Sequence, residues 1–261
     1  MIIRRSGAAF IALTVLATAI FLPRPASAAQ DLDCIFGPRL DAIEAVRADS
    51  SLDSLSAIRA ELGLRKELLR SITGCGAAEV RSLKNKFETT NIPQDAATPR
   101  NRVIDRLRDA IAHYEAQREK IDGLGLGDSQ ELARELREWR RQVYTPLAEQ
   151  TLNIIVWSKN QELFAAARNR FADIERTVSR LKLTENEDIA RLFAAARTNF
   201  ETAETANISV RDDIIERTPT QGGLSGKGDT LLPIKQSLEA LSATYKSFFD
   251  LSEATKDILP R

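Results

Sequence analysis

The sequence holds a single histidine, His113, with Asp109 four residues before it. On a helix those positions share a face, so the pair has the reach to bind a metal or relay a proton. Either task needs further groups. There is no second histidine, and neither Cys34 nor Cys75 has metal-ligand spacing to another cysteine, so a zinc site would have to be built from carboxylates, against ordinary preference. The pair reads as a surface histidine beside an acid. "GLSGKG", residues 223–228, resembles part of a phosphate loop. That pattern needs Gly at 221 and Ser or Thr at 228, and the chain has Gln221 and Gly228. "GLGLG", residues 123–127, follows a helical pattern rather than a strand, so it is no dinucleotide fingerprint. No nucleophile elbow surrounds any serine. Glycoside hydrolysis needs only two well-placed carboxylates, yet the aromatic residues that line sugar clefts are few, two Trp and three Tyr. Arg134, Arg137, Arg140 and Arg141 surround Trp139 but alternate with Glu131, Glu135 and Glu138, the composition of a solvated, ion-paired helix face. Asn207-Ile208-Ser209 fits a glycosylation acceptor inside a helical pattern. No catalytic, cofactor-binding or metal site is expected from these residues.

The elements that position them begin after an N-terminal segment of a different kind. Arg4 and Arg5 precede an apolar run from Ala8 to Leu22 and a small-residue site, Ala26-Ser27-Ala28. This is the pattern of a signal peptide, residues 1–28, cleaved after Ala28. The alternative is an uncleaved anchor, and in both cases the positive end stays inside and the remainder is exported. Cleavage leaves 233 residues, enough for a substantial core. It also removes three arginines and no acid, so the mature chain is mildly acidic. Such a chain is poorly suited to nucleic acid or to anionic lipid. In an oxidising compartment Cys34 and Cys75 are expected to pair, tying an N-terminal strap to the end of a following helix and closing a loop of about 40 residues.

Apolar residues recur at helical spacing almost throughout. Leu40, Ile43 and Val46 mark one short helix. Leu55, Ile58, Leu62, Leu69 and Ile72 mark a second, with "TGCG" (73–76) expected to stop it before a shorter helix to Phe87. Residues 89–98 read as a linker. Thr98-Pro99 is expected to open a helix carrying Val103, Leu107, Ala110, Ile111, Tyr114 and Ile121. Asp128 and Glu131 then cap a helix bearing Leu132, Leu136, Trp139 and Val143. Leu147, Thr151 and Ile154 are out of phase with Phe164, Ala167, Phe171, Ile174 and Val178, which predicts a break or register adjustment near Trp157-Ser158. "TENE" (184–187) predicts a turn and a new helix through Ile189, Leu192, Phe193, Ala196, Phe200 and Ala203. The Gly-rich stretch 218–230 reads as a long loop before a last helix from about Leu232 to Ile258. Period-two alternation is absent, so no sheet is expected.

One motif is written twice: "LFAAARNRF" at 163–171 and "LFAAARTNF" at 192–200. A turn near 183 brings the two copies face to face in an antiparallel hairpin. Phe200 then lies opposite Ala167, Phe171 opposite Ala196, Phe193 opposite Ile174, and large meets small. Phe164 belongs to the same packed set.

Together these patterns predict an all-α protein. A disulfide-tied N-terminal helical unit, residues 29–92, precedes an antiparallel bundle of long helices with coiled-coil-like packing, residues 93–261. The functional expectation is a non-catalytic interaction or structural protein of the cell envelope, periplasmic or extracellular, with a protein partner, no cofactor, no nucleic acid, and membrane contact only through a retained N-terminal segment. The alternatives are a bundle that binds a small ligand or signal, with Trp139, Tyr144 and Trp157 lining the site, and a carboxylate-based hydrolase.

Overall fold

The computed structural model describes residues 34–216 and 231–256. The signal-like segment, the "GLSGKG" stretch and the end of the last helix lie outside the described residues. Those described form α1 (Gly37–Ala48), α2 (Ser54–Glu88), α3 (Ala97–Lys120), α4 (Leu126–Trp139), a five-residue π-helical segment (Arg140–Tyr144), α5 (Thr145–Arg180), α6 (Glu187–Glu216) and α7 (Leu231–Lys256), with no strand among them. Local chemistry explains the boundaries. The Asp53 carboxylate accepts from the N–H groups of Leu55 and Ser56, both at 3.0 Å, and starts α2. Asp128 reaches back to the Gly125 N–H at 3.1 Å and starts α4. The turn after α5 passes through Lys182, whose φ of 52° is left-handed. Asn186, rather than Thr184, then caps α6 by accepting from Asp188 and Ile189.

Three expectations are corrected by this architecture. "TGCG" does not end a helix, because α2 runs unbroken for 35 residues. Gly76 faces the Tyr114 ring of α3 so closely that a Cβ would lie 2.5 Å from ring carbons; the glycine serves a close crossing rather than a stop. Cys34 and Cys75 do pair, but Cys75 lies in the interior of α2, so the bridge clamps the segment before α1 to the middle of a helix. Thr98 is not an N-cap: α3 begins at Ala97 and holds Pro99 in its first turn, where no N–H is missed.

Near Trp157-Ser158 there is a register adjustment rather than a break, since α5 is continuous over 36 residues. Its two apolar series serve different neighbours. Leu147, Ile154 and Trp157 enter one core with Val80 and Phe87 of α2, Val103 and Leu107 of α3, and Val210, Ile214 and Ile234 of α6 and α7. Phe164 and Ala167 enter another with Phe200, Ala203 and Leu241. A helix that changes partner along its length must change its buried face without breaking. The backbone irregularity lies earlier, at Arg140–Tyr144, where the wider π turn leads into Pro146 in the first turn of α5. Cores also run across the junction of the 29–92 and 93–261 stretches, since α2 packs on α3 and α5.

The duplicated motif lies in a three-helix arrangement rather than a two-helix hairpin alone. Ala167 shares a core with Phe200, and Ala196 shares one with Phe193, Phe171, Ile174 and Val178, but α7 completes both through Leu241, Phe248 and Leu251. Of each alanine triplet only the third, Ala167 or Ala196, is buried. The phenylalanines also meet one another: Phe171 stacks between Phe193 and Phe200, with centroids 5.5 Å away on both sides. Those rings space α5 from α6, whereas α6 and α7 make the most extensive helix pair, with Ala203 buried and Ala240 partly buried between them.

Removing the Cys34–Cys75 bridge by a double Ser substitution is expected to lower stability by about 3–4 kcal/mol, the value for a loop of this length. Urea unfolding of the oxidised protein and the double variant measures it. An unchanged midpoint would show that the clamp constrains nothing.

Candidate functional site

Of the candidate residues, Trp139 precedes and Tyr144 ends the π segment, the kind of irregularity that recurs at functional positions. The segment swings Arg140 away from the arginines around it. Arg134 pairs with Glu131, and Arg141 with Glu138, within their own helix. Arg140 instead crosses to α2, donating through Nη2 to both Glu79 oxygens at 2.8 and 3.0 Å and through Nη1 to Tyr114 Oη at 3.3 Å. Its guanidinium lies 5.0 Å from the Tyr144 ring centroid, within cation–π range. Tyr144 Oη donates to Glu79 Oε1 at 3.1 Å. Trp139 lies edge-on to Tyr114 and stacks on His113, centroids 3.9 Å apart and rings 11° from parallel. His113 is therefore set by an aromatic partner rather than by Asp109, the acid its sequence position suggested.

The electrostatics describe a closed network. Burial pushes the Tyr114 and Tyr144 hydroxyls above their ordinary range, with Glu79 adding to it at Tyr144. Both stay protonated at neutral pH and act as hydrogen-bonding groups, not nucleophiles. Burial disfavours charge on Arg140, but its bonds to Glu79 and Tyr114 outweigh that and raise its pKa. The Arg140–Glu79 pair is half-exposed, so its value is at most about 1 kcal/mol. What it achieves is geometry: it joins α2, α3 and the π segment at one point.

Burial, reinforced by Lys120, lowers the His113 pKa below its ordinary value. In the folded state His113 is thus harder to protonate than in the unfolded chain, and stability should fall as pH drops from about 6.5 through the folded pKa. Thermal melts between pH 7.5 and 5 should show this slope, and His113→Phe should flatten it. Identical slopes in the two proteins would remove His113 from the account.

Beside the network, Thr73, Gly74, Ala77, Arg81, Tyr114, Glu115 and Arg118 line a cleft of about 130 Å³. Small-molecule sites commonly occupy about 300–1,000 Å³, so this cleft suits a few water molecules or a fragment. Trp157 does not join Trp139 and Tyr144. It lies about 20 Å along α5 from Tyr144, 1 % exposed, in the core. It begins a buried polar belt in which Asn160 Nδ2 donates to Ser237 Oγ at 2.9 Å and Gln161 and Asn207 exchange hydrogen bonds. The belt occupies Asn207, the glycosylation-like asparagine, inside the bundle. Two of its atoms, Trp157 Nε1 and Asn160 Oδ1, are buried without a partner. Among the described residues no three His, Cys, Asp or Glu side chains converge as a metal site would require, and no helix is long and apolar enough to cross a membrane.

A different surface stands out, which the candidate residues did not include. On α2 the apolar stripe Leu55, Ile58, Leu62, Leu69, Ile72 keeps one face for five turns. Leu69 is 2 % exposed in the main core, but Leu55 and Ile58 are 55 % and 47 % exposed. The core-facing seam continues past the helices that cover it. Ile35 just before α1, Leu40 in α1 and Leu52 before α2 are exposed as well. Of twelve large exposed hydrophobics among the described residues, five fall between residues 35 and 58, so the apolar surface concentrates on the α1–α2 hairpin. Its residues were visible in the sequence as helical periodicity. Their lack of a partner was not, because periodicity gives a face and not what covers it.

Compared with protein-family models, characterised proteins and solved structures, the chain matches none of them.

Proposed function

We propose that this is an exported, non-catalytic interaction protein of the cell envelope, and that its docking surface is the apolar seam of the α1–α2 hairpin. The observation that carries this reading is the exposure of Leu55 and Ile58 on a stripe whose continuation is core. Clustered aliphatic surface in an aqueous compartment marks a site that another surface covers. The hairpin is also preorganised to present it. The Cys34–Cys75 bridge clamps one end. Glu61 bonds Arg47 of α1 and Arg65 of α2, joining the two helices, and Asp53 fixes the start of α2. A rigid surface loses less conformational freedom on binding. The signal-like N-terminus supports export, and the paired Cys34 and Cys75 suit an oxidising compartment.

A photoreactive residue placed at position 58 in the cell-expressed protein should capture a protein under illumination. The same residue at position 191, on an exposed part of α6 far along the chain, should not. Equal labelling from both positions, or none from 58 with working controls, would sink the proposal.

A further inference from the structure

We infer that the cleft between α2 and α3 binds a small organic monocarboxylate, with the carboxylate on Arg118 and the apolar part against the Tyr114 ring. The site is separate from the α1–α2 seam, since Ala77 in its wall lies about 28 Å along α2 from Ile58. Its main support is an arginine left out of a pattern. Five times an acid binds the arginine three residues after it on the same helix, as Asp105 binds Arg108 and Asp188 binds Arg191. Glu115 and Arg118 have that spacing, but Glu115 turns across the crossing and pairs with Arg81 of α2. Arg47 and Arg70 also miss the acid three residues before them, and they bind Glu61 and Asp122 instead. Arg118 makes no ion pair with any described residue. Arg81, Glu115 and Arg118 all line the cleft. With Arg81 and Glu115 matched to each other, one positive charge is left at the rim, and it selects an anion.

The floor below that rim is apolar and fixed. Gly74 and Ala77, one turn apart on α2, bring almost no side chain to the cleft, and Tyr114 closes it from α3. At Gly76 the same two helices meet so tightly that a Cβ would lie 2.5 Å from the ring. Trp139, Tyr144 and Arg140 hold the ring from its other sides, so binding has little left to order. Thr73 Oγ1 donates to the Leu69 carbonyl at 2.8 Å, which leaves the wall without a free hydroxyl donor.

Size sets the class of ligand. A volume of about 130 Å³ is close to the roughly 150 Å³ of a cavity that holds benzene. One phenyl or branched four-carbon group fills it. A sugar would place more hydroxyls there than these walls can bond, and a second carboxylate would meet Glu115.

Titration of the isotope-labelled, disulfide-intact protein with phenylacetate at neutral pH, followed by amide chemical shifts, tests the site. Saturable shifts at Gly74, Ala77 and Glu115 are expected, with a dissociation constant in the millimolar range for so small a ligand. Phenylacetamide has the same shape without the charge, and it should bind at least about 5-fold more weakly. Arg118→Gln, a change at an exposed position, should weaken phenylacetate by about the same factor and leave phenylacetamide unchanged. Shifts that never saturate, or that are equally large at Arg134 and Arg137, would mean a general attraction to arginine and would overturn the site. Equal affinity for acid and amide, or unchanged phenylacetate binding in an Arg118→Gln protein of normal helical signal, would overturn the role of Arg118 and the proposal with it.

Discussion

Phe200→Ala should lower the free energy of unfolding by about 3–5 kcal/mol, the range for deleting a buried aromatic ring from a core. Phe200 packs with Phe164, Ala167, Ala203 and Leu241, and its ring stacks on Phe171. Deleting it opens a void that touches α5, α6 and α7 together, and the adjacent Phe171 loses one of its two stacking partners. Phe171→Ala should cost about 3 kcal/mol, at the low end of that range, because Phe171 keeps part of its surface in solvent. Leu163 opens the same motif but is 49 % exposed, so Leu163→Ala should change stability by less than about 1 kcal/mol. Urea denaturation of the three variants separates the cases. Equal losses at Phe200 and Leu163 would contradict the three-helix packing.

The second large effect concerns a glycine. Gly76→Ala places a Cβ within 2.5 Å of the Tyr114 ring. Trp139, Tyr144 and the Arg140 bond all hold that ring in place, so it cannot step aside without losing them. Helix propensity alone would favour alanine by about 1 kcal/mol. Displacing a buried tyrosine costs about 3–5 kcal/mol, and the net expected loss is about 2–4 kcal/mol. Gly63 in the same helix has nothing within 4 Å of the Cβ position. Gly63→Ala should therefore stabilise the protein by about 0.5–1 kcal/mol. Opposite signs at two glycines of one helix would identify the close crossing. A stabilising Gly76→Ala would refute it.

These two sites show what the sequence made legible and what it did not. The all-α class and the turn near residues 183–185 could be read from periodicity and cap chemistry, because both are local. The buried partners of Phe200 were partly legible, since antiparallel register follows from the turn position. The contribution of α7 was not, because nothing local states which third helix closes a two-helix seam. Gly74 and Gly76 looked like a stop because glycine's two uses, ending a helix and admitting a close neighbour, have one spelling. The phase change along α5 looked like a break for a related reason: a change of partner and a change of backbone direction leave the same trace in the pattern. The candidate face failed as a unit on distance. Trp139 and Tyr144 meet around Tyr114, but Trp157 is too far along α5 to join them and is buried in the core.

The exposed seam is the point on which the functional reading turns, and one comparison tests it most directly. The Leu55→Asp, Ile58→Asp variant is made with the photoreactive residue at position 62, and capture in cells is compared with wild type bearing the same residue. Because both side chains are already about half in water, unfolding free energy should change by no more than about 0.5–1 kcal/mol, while capture at position 62 should be lost. Capture that persists at the wild-type level in a folded variant would show that the hairpin is not where this protein meets its partner.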